Sequence, residues 1–71
     1  MGHALVKATL IPDIVELIAK RYDISEMSAL DRFYSSVTAE NLADDETGLY
    51  GQSALFIYGM YCSEMGDTPY R

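Results

Sequence analysis

The chain holds one cysteine, Cys62, one histidine, His3, no tryptophan and two prolines in 71 residues. A single cysteine excludes an intrachain disulfide, and no Cys/His cluster suggests a structural metal. With His3 at the end of the chain and no second histidine, no Ser–His or Cys–His nucleophile pair is expected. Cys62 lies in an apolar run with no neighbouring cation to lower its pKa, so it reads as a small buried hydrophobe rather than a reactive thiol. Cations are scarce as well. Five Lys and Arg stand against 11 Asp and Glu, a net charge of −6. Such a chain repels phosphate backbones and suits a protein partner with a basic surface. Long hydrophobic runs are missing too. The longest uncharged stretch, residues 47–63, is broken by glycines and polar groups and is too short for a bilayer, so no membrane contact is expected. Met1-Gly2-His3 shows no charged region followed by an apolar one, so no targeting segment is expected, and the lone thiol fits a reducing cytoplasm.

What is present is apolar and tyrosine-rich. The apolar fraction is 49%, which places the chain among globular domains rather than disordered ones. A chain this short hides only about 60% of the surface it would expose unfolded. Its own core then supplies roughly 3–5 kcal/mol, so helix packing carries the fold unless a second subunit adds buried area.

The pattern predicts an all-α single domain of three to four helices spanning residues 1–71, with residues 1–11 an uncertain lead-in and 66–71 a frayed tail. Pro12 reads as the first residue of a helix over about 12–22, followed by Asp13 and Glu16 and closed by Lys20 and Arg21, each favourable to the helix dipole. Ile14, Val15, Leu17, Ile18 and Tyr22 form its apolar stripe. Ser25 caps a second helix over about 26–36, with Ile24 and Ala29 placed as a hydrophobic staple. Met27, Leu30, Phe33, Tyr34 and Val37 recur on it at the helical period. Thr38 is expected to cap a short third helix over about 39–44, which ends in the acidic turn Asp44-Asp45-Glu46 before Gly48. Ser53 caps the last helix, 53–65. Its run from Ala54 to Cys62 has no polar face and so calls for cover on all sides. Three short neighbours are not expected to provide it.

That surplus singles out a protein-interface set: Tyr50, Phe56, Tyr58, Met60 and Tyr61, rimmed by Asp44, Asp45 and Glu46. Tyrosine suits such a place, since its ring is apolar and its hydroxyl seeks a partner. Other readings fit less well. The three adjacent acids lack the alternating ligands and terminal glutamate of a calcium loop, so no metal or cofactor is expected. Residues 17–34 have the outline of a helix-turn-helix, the alternative function being a small DNA-binding regulator. However, Asp23 replaces the turn glycine, and the second helix offers Glu26, Asp31 and a lone Arg32 where a base reader needs Arg, Lys, Asn or Gln.

The stretches IAKRYDISEMSALDRFYSS, residues 18–36, and DETGLYGQSALFIYGMY, residues 45–61, resemble a group of short uncharacterised bacterial helical proteins. Some members of that group are encoded beside toxin-like genes. The resemblance implies an antitoxin-like or accessory binding protein and carries no catalytic or ligand-binding residue. The expected function is therefore a cytoplasmic, non-enzymatic protein–protein interaction module that also forms homo-oligomers.

Overall fold

The computed structural model describes residues 4–66. These residues form four α-helices and no strand: α1 (Ala4–Tyr22), α2 (Glu26–Tyr34), α3 (Val37–Ala43) and α4 (Ala54–Glu64). Two 3₁₀ turns, Asp45–Thr47 and Leu49–Gly51, link α3 to α4. His3 and most of the expected frayed tail lie outside the described residues.

Serines start three of the helices. Ser25, Ser36 and Ser53 have extended backbones, and their hydroxyls accept the N–H groups of Ser28, Ala39 and Phe56 at 3.0–3.1 Å. Each bond satisfies a donor that a helix N-terminus otherwise leaves unpaired. The cap of α3 is thus Ser36, two residues before the expected Thr38. Thr38 is buried inside the first turn, and its hydroxyl donates to Glu64 instead. The earlier start of α3 also stops α2 at Tyr34.

The lead-in is helical. α1 begins at Ala4, eight residues before Pro12, so the proline lies inside the helix rather than at its start. Its ring removes the N–H that the Ala8 carbonyl would accept. Ala8 and Pro12 both lie on the exposed side of α1, where solvent is at hand for a carbonyl that the helix leaves unbonded. The other end of α1 closes on Asp23 in the left-handed conformation, φ 55°. The Ile24 N–H reaches back to the Ala19 carbonyl at 3.0 Å, the six-to-one bond of a Schellman motif.

The core is drawn from all the helices. Ile14 and Ile18 of α1, Phe33 of α2, and Ile57, Tyr61 and Cys62 of α4 are fully buried. Tyr61 is the hub. Its ring meets Tyr22 edge-on at 6.4 Å and Phe33 at a tilt, 6.2 Å between centroids, which joins three helices. Both separations fall in the range where aromatic pairs attract beyond simple burial.

α3 is only seven residues long, well below the length at which an isolated helix holds. Side chains from elsewhere grip it at both ends. At its start, the Glu64 carboxylate accepts the Val37 and Thr38 N–H groups at 2.8 and 2.9 Å. At its end, the Lys7 ammonium donates to the Ala43 carbonyl at 3.0 Å and pairs with Asp45 at 2.6 Å. An anion at the N-terminus and a cation at the C-terminus both complement the dipole.

Candidate functional site

The structure splits the expected interface set. Tyr61 is 1% exposed and Tyr58 8%, so both belong to the core of the single chain. Met60 and Tyr50 are half-buried and pack against that core. Of the five, only Phe56 faces out, beside an exposed Leu55. The expectation that α4 would outrun its neighbours is corrected for Tyr58 and Tyr61. The two i, i+4 pairs Ile57/Tyr61 and Tyr58/Cys62 form one broad stripe, and α1 and α3, with Phe33 of α2 against Tyr61, are enough to cover it. A run without polar residues has no amphipathic signal, so its sequence could not show which side faces in.

The acidic rim is also engaged internally. Asp45 holds Lys7, and the Asp44 carboxylate accepts the Glu46 N–H at 3.0 Å.

Apolar surface is left unburied on the second helix, as well as at Leu5 and Val6 of α1 and Leu55 and Phe56 of α4. Along α2 Ala29 and Phe33 are buried in the core, and Leu30 packs partly against it. Ala29 is small and fully buried where α2 meets α1, the helix it contacts most. This register turns the neighbouring stripe outward. Met27 is 80% exposed and Tyr34 58%, and Leu30 between them is half-buried. Val37, the last member of the expected stripe, lies on α3 and is also exposed.

Beside that stripe runs a groove. A cavity of about 340 Å³ between α1 and α2 is lined by Ile11, Pro12, Val15, Met27 and Leu30, with Glu26 at its border. A second, of about 250 Å³, continues past Ile11 to Tyr34, Leu42 and Ala43, with Glu40 and Lys7 on its edges. Ile11 lines both, so the two depressions adjoin at that residue and together mark an apolar trough across α1, α2 and α3. From Glu26 to Tyr34 the trough follows α2 for about 12 Å, eight residues at 1.5 Å each.

Lys7, the one cation among the described residues that line the trough, is taken by Asp45 and the Ala43 carbonyl. Glu26 and Glu40 make no ion pair among the described residues. Within those residues there is also no group of three or more side chains arranged to hold a metal ion. No described helix is long and apolar enough to cross a membrane.

No family model, curated protein or solved structure matches the chain.

Proposed function

We propose that this chain is a protein–protein interaction module whose contact surface is the α1–α2 trough. The observation that carries the reading is the exposure of Met27 and Tyr34 beside two adjoining apolar depressions in so small a domain. Scattered apolar side chains on a surface are ordinary, but a contiguous apolar depression with a charged border is how helical partners are received. Leu55 and Phe56 are also exposed on α4, and neither lines the two depressions. The antitoxin-like form of this reading rests on the resemblance of residues 18–36 and 45–61 alone.

Light scattering of the purified chain, alone and co-expressed with the product of the adjacent gene, tests the reading. A stable complex that Met27→Glu dissolves, with helicity unchanged, is the expected result. A complex indifferent to Met27→Glu and Tyr34→Glu would place the contact elsewhere.

The DNA-regulator reading gains nothing from the geometry. The outer side of α2 presents Met27, Leu30 and Tyr34 with Glu26 beside them, and such a surface is not drawn to a phosphate backbone.

A further inference from the structure

We infer that the occupant of the trough is an amphipathic helix with basic residues flanking its apolar face. This rests on the reading of the trough as a docking surface and adds the chemistry of what docks.

Three observations on the same surface carry it. The first is shape. The trough lies between two packed helices and runs about 12 Å along α2, so a partner helix meets it over a little more than two turns. Met27, Leu30 and Tyr34 repeat at three- and four-residue spacing, and an opposing helix fills such a surface with apolar side chains at the same spacing. The long, unbranched Met27 side chain adapts to several shapes.

The second is charge at the edges. Glu26 borders the trough at one end and Glu40 at the other, and neither has an ion pair among the described residues. The one cation on the edge, Lys7, is bound by Asp45. The rim is therefore acidic at both ends and lies on a chain of net charge −6. A Lys or Arg near each end of the partner helix answers it, and long-range attraction speeds the encounter.

The third concerns a second copy of this chain. A two-fold pairing of troughs sets Glu26 against Glu26 and Glu40 against Glu40, or crosses one with the other. Every arrangement brings carboxylates together, and like charges in an interface select against that partner. The acidic rim thus favours a foreign basic helix over self-association.

The probe is a helical peptide of about 14 residues with Leu at i, i+3, i+7 and i+10 and Lys beside that face at both ends. Its counterpart carries Glu at the Lys positions. Fluorescence anisotropy measures both against the full chain. The inference expects the basic peptide to bind about tenfold more tightly than the acidic one, with the gap closing in high salt. The double variant Glu26→Lys/Glu40→Lys should reverse the preference. Met27→Glu should remove binding of both peptides, and since Met27 is 80% exposed the fold tolerates it. Equal binding of the two peptides, still abolished by Met27→Glu, would overturn the basic partner and leave the docking surface standing. No binding of either, or binding indifferent to Met27→Glu, would overturn the docking surface itself. A dimer of the chain at micromolar concentration that Met27→Glu separates would overturn the foreign partner in favour of a second copy.

Discussion

The Glu64 carboxylate and the Thr38 hydroxyl lie 2.7 Å apart, so the last residue of α4 caps the first turn of α3. Two helices separated by both 3₁₀ turns are thereby tied through one side chain. Burial alone would raise the pKa of this carboxyl. The bonds from the Thr38 hydroxyl and the Val37 and Thr38 N–H groups outweigh it and hold the group below its ordinary 4.5. A depressed folded pKa means that the stabilisation is present above 4.5 and lost as the pH falls through the folded value. Glu64→Ala should cost about 1 kcal/mol at neutral pH, the size of a lost helix cap. Urea unfolding at about pH 7 and again near pH 3 checks this. The gap between wild type and variant should shrink in acid, and an unchanged gap would remove Glu64 from the account.

Tyr61 answers to the alkaline side. Burial pushes its phenol above the ordinary 10.0. Arg32 pulls against that, while Glu64 and Cys62 add to it. The folded state holds the neutral phenol more firmly than the unfolded chain does. Its contribution is therefore complete below pH 10 and lost as the pH climbs through the raised folded value. Tyr61→Phe should lack this alkaline loss, so its stability relative to wild type should improve between about pH 9 and 11. Parallel unfolding curves for the two proteins across that range would contradict the assignment.

Phe33 is fully buried and packs at a tilt against the Tyr61 hub. Phe→Ala in a core costs about 3–5 kcal/mol. A core this small provides a total of the same order. Phe33→Ala should therefore leave the chain largely unfolded at 25 °C by circular dichroism. A cooperative transition with nearly native stability would show that the hub is not central.

Much of this fold can be read from residue order. Ser25 and Ser53 stand where they cap, and Ile14, Ile18 and Phe33 lie on the expected inward stripes. What could not be read is which of two apolar surfaces is covered. On α2 the stripe Met27, Leu30, Tyr34 has the helical period as plainly as the pair Ala29 and Phe33. The small Ala29, which admits α1 closely, settles the choice in three dimensions. On α4 the absence of polar residues erases the period, so Tyr58 and Tyr61 looked available when they are the most enclosed tyrosines of the described chain. The Glu64 and Lys7 grips span 26 and 36 residues or more, and no local pattern announces contacts at that range.

Asp23 gives the fourth prediction. It occupies the left-handed position that ends α1, where glycine carries no steric penalty. Asp23→Gly should raise stability by about 0.5–1 kcal/mol, the cost of a side chain at positive φ less the added freedom of the unfolded chain. A melting temperature a few degrees higher would register it. A lower one would mean that the carboxylate contributes to the turn by itself.

The sealed position of Cys62 makes it a clock. It is the chain's only thiol and is fully enclosed between α4 and its neighbours. A thiol reagent reaches it only when the core opens, and the labelling rate then reports how often that happens. A helix seated in the α1–α2 trough does not touch Cys62, yet if it stabilises the folded state it must slow that clock in proportion to its occupancy.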